Sequence, residues 1–310
     1  MQLLDGKLLS TEILAEMAAE VQQIVAVDSK RPPHLVAILV GANGASETYV
    51  ASKIRNCELI GFRSTLVRFP ETVSQAELLA RINQINGDSD IDGLIVQLPL
   101  PEHISGEVVT MAIDADKDVD GFHPSNFGKV AKGLDGFIAA TPLGILLMME
   151  RYKLETKGRH VVVVGRSQIV GLPMAMLLQR NAYPGNATVT ICHSHTRDIE
   201  EMCASADILI AALGKPNFIV PAMVREGAVV IDVGLQRVAD ASKKSGFRLA
   251  GDVDFEAVAP KTSYITPVPG GVGLMTICGL LANTLKAYKA NYKAKYGADD
   301  QPTINSTLQP

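Results

Sequence analysis

Four consecutive valines, Val161 to Val164, run straight into "GRSQIVGLPMAMLLQR" (165–180). A run that is apolar at every position suits a strand buried on both faces, and such strands belong to parallel sheets covered by helices. The glycine that follows, and the apolar periodicity after it, read as a tight turn into a helix. The rest of the chain extends the pattern. "LVAILVG" (35–41), "STLVRF" (64–69) and "GLIVQLPLP" (93–101) read as strands separated by helical segments around 46–60 and 74–86. After the valines come "ATVTIC" (187–192), "DILIAALG" (207–214) and "AVVIDVG" (228–234). This is βαβ alternation twice over, with right-handed crossovers expected in each half.

Between the halves lies "KDVDGFHPSNFGKVAKGLDGFIAATPLG" (117–144), rich in Gly, Pro, Asn and Asp. It reads as a long loop at a domain boundary. "TPLGILLMMERY" (141–152) then restarts a helix, with Thr141 as N-cap and Pro142 at the first helical position. A second Gly/Pro loop, "TPVPGGVGLMT" (266–276), leads into a last helix running to about residue 292. The polar tail from 296 to 310 lacks periodicity and is expected to be disordered.

Composition narrows the function classes. The 310 residues are 47% hydrophobic and 20% charged, long enough for two globular domains. A formal charge of −4 argues against nucleic acid as a partner. The four cysteines form no CxxC pair, which fits reduced thiols in a cytoplasmic protein. The first residues do not read as a secretory signal, and no run of about 18 uncharged apolar residues suggests a membrane span.

A strand, a glycine turn and a helix N-terminus can together receive a pyrophosphate, because the first-turn N–H groups are unpaired and the dipole end is positive. The spacing Gly165-x-Ser167-x-x-x-Gly171 departs from GxGxxG, so a purely structural turn is an equal reading on spacing alone. Two residues tip the balance. Arg166 follows the turn glycine, and the next strand ends in "CHSHT" (192–196), where an NAD-selective site carries an acid for the ribose hydroxyls. A missing acid together with an Arg and a hydroxyl suits a 2′-phosphate. The expected cofactor is therefore NADP, with Arg166 and Ser194 on that phosphate. Gly165, Ser167, Ile169, Val170, Gly171, His193 and Thr196 form the rest of the wall. The "CHSH" run is a poor metal site, since no second Cys/His pair accompanies it, and no metal is expected.

In "SETYVASKIRNCELIG" (46–61), Tyr49 and Lys53 stand four residues apart and share a helix face. They are either a helix surface or an acid–base pair. The order excludes a short-chain dehydrogenase, whose glycine loop precedes its Tyr/Lys pair. Gln97 closes a strand just before Pro99 and Pro101, and ligands of open α/β sheets bind at such carboxyl ends. Asp116, Asp118 and Asp120 cluster in "DADKDVDGF", and the residues alone do not choose among them.

"YVASK", "VQLPLP", "KDVDGFHP", "GRSQIVGLP", "CHSHT", "VIDVG", "GDV" and "TPVPGGVG" occur in one order from about residue 3 to about 290. The chain thereby resembles the bifunctional methylenetetrahydrofolate dehydrogenase/methenyltetrahydrofolate cyclohydrolases. The resemblance implies two α/β domains around a cleft, the second a Rossmann-like dinucleotide-binding domain. Residues 1–140 plus 275–295 would carry the folate chemistry, and 141–274 would bind NADP. It implies oxidation of 5,10-methylenetetrahydrofolate to the methenyl cation, followed by hydrolysis to 10-formyltetrahydrofolate for purine biosynthesis. Relatives are homodimers, so a homodimer is expected.

The implied catalytic residues are Lys53, Gln97 and Tyr49. An amine acts as a general base near neutral pH only if burial or nearby positive charge lowers its ordinary value of about 10.4. The methenyl cation would act in that direction, and a neutral Gln97 would orient the amine. Tyr49 would line the pterin face, although a half-buried helix aromatic needs no such role. The resemblance selects Asp120 to accept the paired N–H donors of a pterin. Asp116 and Asp118 would then be solvated or capping carboxylates. Pro269, Gly270 and Gly271 would border the folate, their loop closing over it. The family's Pro-Cys pair is replaced by Ala139 and Ala140, and its proline after "GGVG" by Leu274. A monofunctional NAD(P)-dependent dehydrogenase and a catalytically silent nucleotide-binding scaffold are the competing readings.

Overall fold

The computed structural model describes residues 1–296 apart from 28, 244 and 245, so the expected disordered tail lies, from 297 on, outside the described residues. In chain order the elements are β1 (Gln2–Leu3), α1 (Gly6–Gln22), β2 (His34–Val40), α2 (Gly44–Leu59), β3 (Arg63–Phe69), α3 (Gln75–Asn86), β4 (Gly93–Val96), α4 (Gly106–Ala112) and α5 (Pro124–Ala131). They continue with α6 (Ala140–Arg151), β5 (His160–Val164), α7 (Gly171–Gln179), β6 (Thr188–Cys192), α8 (Ile199–Ala204), β7 (Ile208–Ala211), β8 (Val229–Asp232), β9 (Gln236–Ala239), β10 (Phe247–Ala250), α9 (Phe255–Val258), β11 (Tyr264–Ile265) and α10 (Val272–Tyr296). Two compact units result: Met1–Thr11 with Thr141–Gly279, and Glu12–Ala140 with the chain from Leu280 onward.

The unit around Glu12–Ala140 holds a parallel three-stranded sheet in the order β3-β2-β4. Every residue of β2 and β4 is buried, as the unbroken apolar runs require. On one face Ile38, Leu78, Ile82 and Leu94, all fully buried, form the core with Val109 and Ile113. Strand β4 ends at Val96, short of the 93–101 run, and Gln97 is the first residue beyond it. Its N–H still bonds to Ile38 O at 2.9 Å, which seats Gln97 beside the carboxyl end of β2. The later half of α10 is anchored here. Asn283 Nδ2 donates to Val119 O and Ile138 O, both at 2.8 Å, and Asn291 donates to the fully buried Asp92. Arg31 clasps the same carboxylate with two N–H groups at 2.7 and 2.8 Å.

The other unit holds a six-stranded parallel sheet, β1-β11-β8-β7-β5-β6. Counted from β5, the strands run 2-1-3-4-5, a doubly wound order that reverses between β5 and β7. Val161 to Val164 are all fully buried at its centre. A separate hairpin pairs β9 with β10.

Two further expectations change. The 117–144 segment is not one loop: it contains α5, whose first turn is capped by His123 Nδ1 accepting from Ser125 N at 3.1 Å, with Pro124 opening the helix. Helix α6 begins at Ala140, so Thr141 is inside it and not its N-cap. The Thr141 hydroxyl instead meets Thr276 Oγ1 at 3.0 Å.

Ile82→Ala should cost about 2–5 kcal/mol, because the fully buried site cannot collapse around the lost atoms. Denaturant titration monitored by circular dichroism checks this. A cost under about 1 kcal/mol would contradict the packing described.

Candidate active site

Helix α2 follows β2 through Gly41, whose φ of 76° lets the chain leave the sheet. The Asn43 side chain accepts from Ser46 N at 3.1 Å and starts the helix. One turn along its inner face stand Tyr49 and Lys53. Lys53 is buried to 3% exposure, unusual for an ammonium without close polar partners. Its Nζ donates to Gln97 Oε1 at 3.4 Å, lies 3.8 Å from Asp120 Oδ1, and stands 5.0 Å from the centre of the Tyr49 ring. Gln97 is held in turn by its own Nε2, which donates to Leu98 O at 2.7 Å.

The switch point of this sheet explains the convergence. Gln97 follows β4 and Lys53 sits on the helix that follows β2, and these strands are neighbours. Asp120 arrives from the next segment, where Leu94 forms a parallel bridge with Asp118. Asp120 O accepts from Ala140 N at 3.1 Å, and a Cβ on Gly121 would lie 2.6 Å from Ala139 N. Ala139 and Ala140, two of the three departures from the family pattern, are therefore buried directly behind the Asp120–Gly121 backbone.

The three neighbouring carboxylates differ in surroundings. Asp116 is exposed and 3.7 Å from Lys129. Asp118 is not solvated. It is 1% exposed and accepts from Phe122 N at 3.2 Å, His123 N at 2.8 Å and Asn126 Nδ2 at 3.0 Å. Burial pushes its carboxyl up, and these donors pull the other way. Its oxygens are thus occupied in shaping the turn into α5, whereas Asp120 faces Lys53. Cys57, one turn beyond Lys53, is pushed up to about 12 by burial, which leaves it an inert thiol.

In the other unit, Gly165 ends β5 at the switch point with φ 124°, and a Cβ there would collide with Ala212 O after β7. A Cβ on Gly171 would collide with Gly165 O. Only glycines allow this turn to pack so closely, and it sets the start of α7, the kind of helix terminus that receives a pyrophosphate, at the carboxyl end of β5. Ser167 Oγ accepts from Val170 N at 3.2 Å and Gly171 N at 3.4 Å, fixing the start of α7. Arg166, Ser167 and Ile169 are exposed, and Val170 is buried. Gly165 N donates to Cys192 O at 2.8 Å, so the turn after β6 stands beside it at the same sheet edge. That turn is compact: His193 N donates to Thr196 Oγ1 at 2.9 Å and His195 N to His193 Nδ1 at 3.2 Å, while Ser194 is exposed. Among the described residues no group of three or more His, Cys, Asp or Glu side chains is placed to hold a metal.

Pro269, Gly270 and Gly271 lie in this same unit, past β11, where Gly270 has φ 107° and a Cβ on Gly271 would lie 2.6 Å from Pro267 O. Leu274 is in the first turn of α10. The sequence reading gave no role to Asp232 in "VIDVG" or Asp252 in "GDV". Both are buried, to 3% and 0% exposure. Asp232 accepts from Gly234 N and Asp252 N at 2.9 Å and from Val253 N at 3.0 Å. Asp252 accepts from Leu213 N at 2.6 Å, Gly214 N at 3.0 Å and Lys215 N at 2.8 Å. The D-x-G and G-D spacings were the available signal. A Cβ on Gly251 would collide with Asp232 Oδ2, and one on Gly234 with Asp252 Oδ1.

A glycine turn at the switch point of a doubly wound sheet places the protein in the dinucleotide-binding α/β class. Residues 4–120 match the catalytic-domain model of tetrahydrofolate dehydrogenase/cyclohydrolase, and residues 139–292 match its NAD(P)-binding-domain model. The chain belongs to the tetrahydrofolate dehydrogenase/cyclohydrolase family. It is 59% identical over 294 residues to the bifunctional protein FolD of Bacteroides thetaiotaomicron, covering 94% of this chain and 100% of that protein. Among solved structures it resembles the bifunctional FolD dehydrogenase/cyclohydrolase of Campylobacter jejuni, at TM-score 0.87 and 45% identity, over 94% of this chain and 99% of the other. It also resembles the Trypanosoma brucei dehydrogenase-cyclohydrolase complexed with NADP cofactor and inhibitor, at TM-score 0.88 and 36% identity, over 93% and 97%.

Burial lifts Asp232 to about 6, from an ordinary carboxyl value of 3.8, its three N–H donors pulling the other way. The folded chain therefore holds a proton there more tightly than the unfolded chain. Stability from this group is full below about 3.8 and is lost as pH rises through about 6. Asp232→Asn should flatten that part of the melting temperature's pH dependence between about 4 and 6, measured by thermal melts. An unchanged slope in the variant would contradict the assignment.

Proposed function

We propose that the chain oxidises 5,10-methylenetetrahydrofolate with NADP⁺ and hydrolyses the resulting 5,10-methenyl cation to 10-formyltetrahydrofolate. The observation that carries this reading is the buried Lys53 amine with Gln97 Oε1 at 3.4 Å and Asp120 Oδ1 at 3.8 Å. The Glu12–Ala140 unit is taken to hold the folate and the Thr141–Gly279 unit the dinucleotide.

The chemistry that NADP⁺ supplies when bound is acceptance of a hydride from the methylene carbon. Lone pairs on the two flanking nitrogens drive that loss, so this chain need only hold the carbon in place. The Asp120 carboxylate accepts the adjacent amino and ring N–H groups of the pterin. Tyr49 offers its ring to the pterin face and its hydroxyl as a donor. Pro269, Gly270 and Gly271 border the folate through shape.

Hydrolysis requires proton movement, and Lys53 provides it. A cationic substrate beside Nζ disfavours a second positive charge there, which leaves the amine free to take a proton from the attacking water. Gln97 Oε1 accepts from Nζ whether or not that proton is present, so the amine keeps its aim throughout. Once water has added, Lys53 can return the proton as the ring opens. On the dinucleotide side, Arg166 and Ser194 hold the 2′-phosphate, the Gly165–Gly171 turn takes the pyrophosphate, and the His193–Thr196 turn forms the adjoining wall.

The family resemblance also supports a cytoplasmic homodimer that supplies formyl groups to purine biosynthesis. No described helix is long and apolar enough to cross a membrane. Light scattering at twice the chain mass is the expected result for the dimer, and the mass of a single chain would refute it.

An absorbance time course with 5,10-methylenetetrahydrofolate tests the reaction. The expected outcome is NADPH formation much faster than NADH formation, with methenyl product decaying faster than buffer alone allows. Arg166→Ala should raise the KM for NADP⁺ about tenfold or more and change NAD⁺ kinetics less than about twofold. Methenyl accumulation at the buffer-limited rate would leave a dehydrogenase only. No reduction of either dinucleotide would favour a silent scaffold.

A further inference from the structure

The Asp232–Asp252 pair gathers six backbone N–H groups from three separate places in the chain. Leu213, Gly214 and Lys215 follow β7, Gly234 follows β8, and Asp252 and Val253 follow β10. Asp232 N also donates to Thr266 Oγ1 at 2.7 Å, which adds the start of the 266–271 loop to the same knot. The Leu213–Lys215, Gly234 and Thr266 segments are the carboxyl-end loops of β7, β8 and β11, on the far side of the switch point from β6, and the Asp252–Val253 segment follows the separate β9–β10 hairpin.

Two consequences bear on the dinucleotide. Three consecutive N–H groups after β7 point inward onto Asp252, so this loop has none of them left to cradle a phosphate. With the 2′-phosphate assigned beside β5 and β6 and the pyrophosphate at the Gly165 turn, the nicotinamide half would extend toward the loops after β7 and β8. That half carries a positive charge when oxidised and none when reduced. Beneath its loops lie two buried carboxylates that receive only N–H donors. In a poorly solvated interior such charges act over several ångströms.

We propose that Asp232 and Asp252 are positioning residues for the dinucleotide, setting the loops after β7 and β8 and supplying the negative charge that favours the cationic oxidised nicotinamide ring over the neutral reduced one. The proposal rests on the NADP reading of this unit. It also accounts for two sequence blocks that the catalytic scheme leaves unused. In "VIDVG" and "GDV" each aspartate is matched by a glycine that leaves room for the other's carboxylate, Gly234 for Asp252 and Gly251 for Asp232.

The test is the pair of dissociation constants for NADP⁺ and NADPH at neutral pH, measured by calorimetry on wild-type protein and on Asp252→Asn. The expected result is NADP⁺ binding weakened about tenfold in the variant and NADPH binding weakened less than about threefold, since only the oxidised ring loses a charge partner. A role confined to scaffolding would weaken both by the same factor, and that outcome overturns the proposal. So does a folded variant, by circular dichroism and cooperative melt, in which neither constant moves. Asp232→Asn is judged by the same criteria.

Hydrogen exchange on the dinucleotide-free wild type tests the brace without any variant. Amides of Leu213, Gly214, Lys215, Gly234 and Val253 should exchange as slowly as those of β7. Fast exchange that slows only when NADP⁺ is added would overturn the proposal. Wild-type protein with affinity for neither dinucleotide would sink the functional reading itself, whereas wild-type binding with an unmoved ratio in the variant sinks this inference alone.

Discussion

An ammonium group buried to 3% exposure cannot stand unsupported, and the unit around Glu12–Ala140 is arranged around that demand. Lys53 must be met by acceptors, and they come from two other parts of the chain: Gln97 after β4 and Asp120 in the turn before α5. Each support has its own support. Gln97 is anchored through its backbone to β2 and through its side chain to Leu98. Asp120 is fixed by Ala140 and by the tight passage of Gly121 past Ala139. Removing one partner would leave an uncompensated charge in the interior, which is costlier than the bond lost. The same contacts fix where the Lys53 amine points.

Both units apply the same topological rule. Each sheet reverses its strand order once, between β2 and β4 in one unit and between β5 and β7 in the other, and each candidate site forms at the carboxyl ends there. What differs is the residue placed at the opening. In one unit it is a helix face bearing Lys53 and Tyr49. In the other it is a glycine turn with exposed Arg166 and Ser167, backed by two buried carboxylates that use up the loop donors.

The strands were legible because burial on both faces leaves unbroken β-branched runs, as in Val161–Val164 and Leu35–Val40. The Tyr49–Lys53 adjacency was legible because helical spacing depends only on local periodicity. Helix α5 was not, since Pro, Ser, Asn and Gly make up four of its eight residues and its cap is a histidine ring nitrogen. Strands β1 and β11 have two residues each and no pattern to detect. Local sequence likewise could not separate Asp118 from Asp120. The difference is tertiary: Asn126, Phe122 and His123 claim the first, and Lys53 approaches the second. The buried aspartate pair was hidden for a similar reason, because five of its six donors come from segments about 20 to 40 residues away.

The central claim is that Lys53 serves hydrolysis of the methenyl cation and not hydride removal, and single-site kinetics separates the two. Lys53→Met fills the same space without an amine. In a time course with 5,10-methylenetetrahydrofolate and NADP⁺, the variant should still form NADPH while its methenyl product decays no faster than in buffer. At least a hundredfold loss of the enzymatic hydrolysis rate is the expected scale for removing a general base, ~10²-fold or more. Methenyl decay at the wild-type rate in a folded Lys53→Met protein would contradict the account.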